Sequence, residues 1–191
     1  MLWCSYTGFS VLMATINLLP NADVSNNWTL STGSDVFPII DDDHTSFIFT
    51  DLHYISATST GKNCIVEFQD FTEDFSSIDS VQAVVRSGNN GRGKTFEIDM
   101  TIVNGSTGDF WAAEGSGTQA SSGSYRTQTF TSRTTSDGST ALTNSDINNL
   151  RMEVELTAHS GGTTRLTYCY FIITYTEPVA TDNAVFFGTN F

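Results

Sequence analysis

Apolar and polar residues alternate along much of this chain from residue 46 onward. The clearest run is residues 96–102, where Phe96, Ile98, Met100 and Ile102 alternate with polar side chains. Side chains of a β-strand point to its two faces in turn, so this pattern predicts a half-buried strand. Comparable runs predict further strands at residues 46–52, 64–68, 78–86, 125–131 and 152–156.

Residues 164–176 form a longer run that is apolar on both faces. Such a run is typical of a central strand or of a strand covered by an outside partner. Clusters of Gly, Ser and Asn separate the runs. One short helical turn is predicted within residues 144–150, with Thr143 as its N-cap and Asp146 reaching back to the cap. Many short strands joined by such turns predict an all-β fold, an antiparallel β-sandwich.

The charge of the chain excludes several classes of partner. With 191 residues the chain favours one domain, and 8 Lys+Arg against 21 Asp+Glu give a net charge of −13. Because no basic cluster offsets this charge, phosphate backbones and anionic lipids are repelled, and we expect neither nucleic-acid nor membrane binding. A disordered acidic tail is excluded as well, because 39% of the residues are apolar and 12% aromatic.

The three cysteines, Cys4, Cys64 and Cys169, are widely spaced and odd in number. No pair has the close spacing of a zinc site or a redox motif. We therefore predict reduced thiols that pack as small apolar residues. A bond between Cys64 and Cys169 is the alternative if their strands are neighbours in an oxidising compartment.

Residues 88–95 match the phosphate-binding P-loop expression, ending in Lys94 and Thr95. A P-loop requires a helix directly after it, whose first amides hold the phosphates. Here the motif leads into the alternating run at 96–102. We therefore predict a glycine-containing hairpin between two strands and no nucleotide site.

Asp41, Asp42 and Asp43 are the candidate metal ligands, because calcium binds carboxylate oxygens. Neighbouring Asp side chains do not converge easily on one ion, so a solvated acidic turn is favoured and no cofactor is predicted, with calcium as the alternative. Glu153 and Glu155 share the polar face of one strand, which favours a solvated face over a glycosidase pair. No nucleophile and base occur in a recognisable set, so we predict a protein that is not an enzyme.

Four aromatic side chains lie in or near predicted loops: Trp28, His53, Tyr54 and Trp111. Sugar rings stack on aromatic platforms of this kind, whereas an isolated aromatic residue at the rim of a sandwich more often closes the core. Both interpretations stay open.

The two ends of the chain are apolar and lie outside the predicted sandwich, as arms at residues 1–16 and 179–191. The first residues lack the basic start of a secretory signal, and residues 1–12 are expected as an extension upstream of Met13. Exposed aromatic residues in a row favour burial against a partner. The predicted interface residues are Leu2, Trp3, Phe9, Val11, Leu12, Phe186, Phe187 and Phe191.

The order of "NNWTL", "DDDHTSFIF", "SSIDSVQAVVRS", "LTNSDINNLRMEVEL" and "TRLTYCYFIITYTEP" resembles single-domain virion proteins of tailed bacteriophages. These include capsid decoration (cement) and fibre-like proteins. The resemblance covers residues 17–178 and implies a jelly-roll sandwich that binds the major capsid protein and copies of itself, a trimer among the options. It also implies a place on the capsid surface after synthesis in the host cytoplasm. The alternative function is a glycan- or receptor-binding module that uses loop aromatics, with or without structural calcium.

Overall fold

The computed structural model describes residues 12–40, 53–105, 113–120, 125–136 and 138–178. They form two antiparallel sheets packed face to face, which confirms the predicted β-sandwich. The strands are β1 (Met13–Leu18), β2 (Pro20–Asn26), β3 (Thr29–Leu30), β4 (Ile55–Ala57), β5 (Lys62–Phe68), β6 (Ser77–Asn89), β7 (Thr95–Asn104), β8 (Glu114–Gly115), β9 (Gln119–Ala120), β10 (Arg126–Thr129), β11 (Leu150–His159) and β12 (Thr164–Thr176). The helices are α1 (Phe37–Ile40) and α2 (Asn144–Ile147).

Sheet A contains β10, β6, β12, β4 and β3 in that order, with β1 also paired to β12. Strand β12 is therefore central, as its two-faced apolar pattern predicts. β6 pairs along one edge of β12 from Thr164 to Thr176, while β4 and β1 share the other edge. Sheet B contains β2, β5, β11, β7 and β8, with β9 also paired to β7. The predicted strand at residues 46–52 lies outside the described residues.

The core lies between the two sheets and consists of their inward side chains. Phe68 of sheet B and Phe171 of sheet A meet there with ring centroids 4.4 Å apart. Cys64 and Cys169 are buried in the same core as free thiols, in agreement with the prediction, while Cys4 is outside the described residues. Burial raises the pKa of Cys64 to about 12 and raises that of Cys169 as well.

The connection at residues 88–95 corrects the sequence prediction. No helix follows it, but it is not a hairpin, because β6 belongs to sheet A and β7 to sheet B. The chain crosses the sandwich through a turn in which Lys94 N donates to Gly91 O at 3.0 Å and Gly93 adopts a φ of 70°. Alternation predicts two strands on either side of a turn, but not whether they share a sheet.

The predicted helical turn is confirmed as α2. Thr143 accepts a hydrogen bond from Asp146 N, and the Asp146 carboxylate accepts one from Thr143 N, which completes a capping box. Helix α1 was not predicted. Its first amides, on Val36 and Phe37, donate to the carboxylate of Asp23 at 2.6 and 2.8 Å, a cap supplied from 13 and 14 residues away.

The sandwich begins earlier than the sequence predicts. Residues 13–16, assigned to the N-terminal arm, belong to β1 and pair with β12. Leu12 and Met13 are 58% and 62% exposed. The other predicted interface residues, Leu2, Trp3, Phe9, Val11, Phe186, Phe187 and Phe191, lie outside the described residues. Within the described part of the chain, no helix is long and apolar enough to span a bilayer.

Candidate functional site

The outward face of sheet A carries a cluster of tyrosine and arginine side chains near one end of β12. We call it the tyrosine–arginine patch and define it as Tyr54, Arg86, Tyr125, Arg165 and Tyr168. Arg86 lies on β6, and Arg165 and Tyr168 lie on β12, while Tyr54 directly precedes β4 and Tyr125 directly precedes β10. These four strands are neighbours in the sheet. Since neighbouring strands lie about 4.8 Å apart, the patch extends about 14 Å across the sheet.

Strand alternation explains why these arginines face outward. Val85 and Leu166 are fully buried in the core, so the adjacent Arg86 and Arg165 point away from it. A register shift between Leu166 and Tyr168 inserts one residue, and it brings Tyr168 opposite Arg86 on the same outward face.

Arg165 lies at the centre of the patch between two tyrosines. Its guanidinium carbon is 4.1 Å from the centroid of the Tyr54 ring, which is cation–π geometry. Its Nη1 donates to the hydroxyl of Tyr125 at 3.3 Å. That hydrogen bond raises the pKa of Arg165, so the group stays charged. Its Nε is buried and has no hydrogen-bond acceptor in the described ranges of the chain.

Tyr125 is positioned by a glycine beneath it. A Cβ atom on Gly88 would lie 2.9 Å from Cδ1 of the Tyr125 ring and 3.2 Å from Tyr125 Cα, so only glycine lets the two segments approach this closely. The guanidinium carbon of Arg86 lies 5.6 Å from the centroid of the Tyr125 ring. Gly88, the first glycine of the P-loop-like motif, therefore leaves room for Tyr125 of this patch and is not part of a phosphate-binding loop.

Tyr168 forms the floor of the patch. It is buried, and its hydroxyl is 2.7 Å from Thr127 Oγ1 on β10. Its ring centroid is 5.8 Å from that of Tyr170, whose pKa burial raises. The upper residues Tyr54, Tyr125, Arg86 and Arg165 are only half-buried. The patch thus presents partly exposed tyrosine rings and guanidinium N–H donors on the outward face of the sheet.

The outward face of sheet B is acidic. Its outward positions include the carboxylates of Glu67, Glu97, Asp99, Glu153 and Glu155. Glu153 accepts a hydrogen bond from Asn63 Nδ2 at 2.6 Å, and Asp99 accepts one from Thr157 Oγ1 at 3.1 Å. No aromatic ring lies among the outward residues of β5, β7 and β11, so these three strands offer no stacking platform.

A polar cleft of about 150 Å³ opens at one end of sheet B. Its side chains mainly hold the fold together. Asn148 Oδ1 accepts from Phe71 N at 2.7 Å, Asn149 Nδ2 donates to Ser145 O at 2.7 Å, and Arg151 Nε donates to Glu67 at 2.8 Å. Because these groups already bind one another, we regard the cleft as structural.

The structure separates the aromatic residues that the sequence singles out. Trp28 is 4% exposed and closes the core, whereas Tyr54 joins the patch and His53 is exposed beside it. Trp111 and the candidate calcium ligands Asp41, Asp42 and Asp43 lie outside the described residues. Among the residues that are described, no three His, Cys, Asp or Glu side chains are grouped to hold a metal.

Sequence reasoning missed Arg86, Tyr125, Arg165 and Tyr168. Arg86 and Arg165 occupy polar positions of predicted strands, so alternation indicates that they face outward. What the sequence does not reveal is that β4, β6, β10 and β12 are neighbours, which alone brings these side chains together.

No protein-family model matches the chain, and a search of curated proteins finds no match either. Several solved structures are similar at low identity. One is the CBM36-1 domain of a multidomain xylanase from the hindgut metagenome of Trinervitermes trinervoides, with 14% identity, a TM-score of 0.39, and coverage of 84% of this chain and 96% of that one.

Two further similar structures are also carbohydrate-binding modules. The xylan-binding module CBM15 has 12% identity and a TM-score of 0.39 over 88% of this chain and 99% of its own. The CBM32 of AlyQ in complex with 4,5-unsaturated mannuronic acid has 15% identity and a TM-score of 0.37 over 79% of this chain and 98% of its own. At these identities and TM-scores the similarity assigns no family and no function to this chain. The resemblance to virion proteins stays a prediction.

Proposed function

We propose that this protein is a glycan-binding β-sandwich module whose binding site is the tyrosine–arginine patch. The observation that carries the proposal is the arrangement of Tyr54, Arg165 and Tyr125. The ring of Tyr54 and the hydroxyl of Tyr125 contact one guanidinium on the outward face of a sheet.

Sugar rings and this surface have complementary chemistry. A pyranose has apolar C–H faces and a rim of hydroxyl groups. Aromatic rings cover the apolar faces, and arginine N–H groups donate to the hydroxyl and ring oxygens. Arg86, Arg165 and Tyr168 stand on paired strands, and Arg165 contacts both Tyr54 and Tyr125. These contacts restrict the side chains before a ligand binds, which lowers the entropic cost of binding.

The patch is a binding site without its own catalytic chemistry in this proposal. Its groups are phenols and guanidiniums. Arg165 stays charged, so it supplies no general base, and the patch as defined contains no carboxylate. We therefore propose recognition of a glycan, with no bond made or broken.

The proposal is tested by affinity gel electrophoresis of the protein through a panel of polysaccharides. We expect at least one polysaccharide to slow migration and Tyr54→Ala to weaken this binding at least about tenfold, since loss of ring stacking costs about 1.4 kcal/mol. Ile65→Ala, at an outward position of sheet B, is the matched control and should bind as wild type does. Unchanged migration in every polysaccharide, or equal binding by both variants, rules the proposal out.

A second candidate function is docking on a capsid through the N-terminal segment. The observation that favours it is the exposure of Leu12 and Met13 at the edge of sheet A, at 58% and 62%. Removal of residues 1–12 should then turn a self-associating protein into a monomer in light scattering. Identical masses for the full and shortened chains exclude self-association through this segment.

A further inference from the structure

We infer that the glycan recognised by the tyrosine–arginine patch is acidic, and that Arg165 binds a carboxylate carried on the sugar ring. The inference rests on the proposed glycan-binding function and narrows its ligand to uronate-type sugars. Three features of the described residues lead to it: the local charge, the unsatisfied donors of Arg165, and the planar geometry of its setting.

The charge at the patch is opposite to the charge of the protein. The whole chain has a net charge of −13. Yet the patch contains two arginines, and among the described residues the contacts of Arg165 are Tyr54 and Tyr125, neither of which carries a carboxylate. By contrast, Arg133 and Arg151 each lie beside a glutamate, as ion pairs with Glu114 and Glu67. Within the described part of the chain, Arg165 is thus charged without an anion in contact.

Arg165 also has more N–H donors than the described residues provide acceptor atoms for. A guanidinium carries five N–H groups. Among the residues that the structure describes, the Tyr125 hydroxyl is its acceptor, and the buried Nε has none. The group is half-buried, so its exposed part still reaches a ligand. A carboxylate supplies two acceptor oxygens in the plane of the guanidinium, and this charge-assisted pairing is stronger than one with neutral hydroxyls.

The setting of Arg165 favours one planar anion over a phosphate chain. The guanidinium carbon lies 4.1 Å from the centroid of the Tyr54 ring, and Nη1 donates a hydrogen bond to the Tyr125 hydroxyl. Together these two contacts fix the plane of the guanidinium. A sugar whose C–H face covers a tyrosine ring then brings a ring carboxylate to the neighbouring arginine. Proteins that bind nucleic acid strands do so in grooves lined by many cationic side chains. This chain has 8 Lys+Arg in total, which is too few for such a groove.

The test uses pairs of polymers that differ only in the acid group. Polygalacturonate, polymannuronate and hyaluronan are each compared with their carboxyl-reduced forms, in which the carboxylate has become a neutral alcohol. We expect at least one acidic polymer to bind the wild-type protein at least about tenfold tighter than its reduced form. Raising salt from about 50 to about 500 mM should weaken that binding.

Three variants assign the preference to Arg165. Arg165→Ala should remove the difference between acidic and reduced polymers, and Arg165→Lys should restore part of it, since a lysine keeps the charge without the planar donor pair. Arg151→Ala, on the outward face of sheet B, is the control and should keep the full preference. Thermal unfolding of each variant confirms that it is folded, and Arg165→Lys decides the matter if Arg165→Ala does not fold.

The outcomes separate this inference from the proposed function. If reduced polymers bind as tightly as acidic ones and Tyr54→Ala abolishes both, the carboxylate inference is wrong and glycan binding stands. If no polymer of either kind binds, in this set or in the polysaccharide panel, both fail. Single-stranded DNA is tested last. If the wild-type protein binds it and Arg165→Ala does not, the inference is overturned in favour of a phosphate ligand.

Discussion

The outward faces of the two sheets are built by the same alternation of side chains, yet they carry opposite chemistry. On sheet A, Arg86 and Arg165 lie among tyrosines. On sheet B, Glu155 stands directly opposite Asp99, with Glu153 and Glu97 nearby on the same face. The fold decides only that a side chain points outward. Which face becomes a binding surface is decided by residue type.

The acidic face carries an energetic penalty that the patch avoids. Like charges directly opposite on neighbouring strands are destabilising. The hydrogen bonds from Asn63 to Glu153 and from Thr157 to Asp99 offset part of this. Such a face keeps copies of the protein apart and repels polyanions. For an acidic glycan, sheet A is therefore the favoured face of approach.

The largest expected effect is a loss of folding stability at high pH, and it tests whether the two sheets unfold as one unit. Cys64 of sheet B and Cys169 of sheet A are both buried, and the pKa of Cys64 is raised from 9.0 to about 12. A raised thiol pKa in the folded state gives stability that is complete below pH 9 and is lost as pH rises towards 12. From Cys64 alone we expect a loss of about 3 kcal/mol at pH 11.

Urea unfolding followed by circular dichroism between pH 8 and pH 11 measures this loss (about 1.4 kcal/mol per pKa unit). Cys64→Ala is the matched control, because it removes the titrating group and should flatten the pH dependence by the same amount. An equal slope in both proteins contradicts the assignment to the thiol. A transition in two steps contradicts the view that both faces share one core.

The sequence predicts most of the sandwich. Alternation places the strands β5, β6, β7, β11 and β12, and the capping box of α2 is readable because Thr143 and Asp146 are local. Helix α1 is not readable, because its cap, Asp23, is far away along the chain. The hairpin predicted at residues 88–95 is wrong for the same reason, since sheet membership depends on long-range pairing.

The candidate site is harder to predict than the fold. Tyr54 is singled out by the sequence as a loop aromatic, but its partner Arg165 lies 111 residues later, and Tyr125 lies between them. No local pattern joins these positions, because strand order alone makes them neighbours. Gly88 shows the same limit of local patterns. It belongs to the P-loop-like motif at residues 88–95, but a Cβ at this position would lie closest to Tyr125.

A smaller effect distinguishes the two faces through a matched pair of glycines. A Cβ on Gly88 would lie 2.9 Å from the Tyr125 ring, and a Cβ on Gly105 would lie 2.7 Å from Arg151 Nε on sheet B. We expect Gly88→Ala to lower the free energy of unfolding by about 1–3 kcal/mol, because the Tyr125 ring and backbone must move. Gly105→Ala should lower it by less, because the partly exposed end of the Arg151 side chain is flexible and turns aside. Only Gly88→Ala displaces a ring of the patch, so it alone should weaken polysaccharide binding, by at least about tenfold. Chemical unfolding and affinity electrophoresis of both variants measure the two effects side by side. Equal binding losses in the two variants mean that binding follows general stability, and the distinction between the faces then fails.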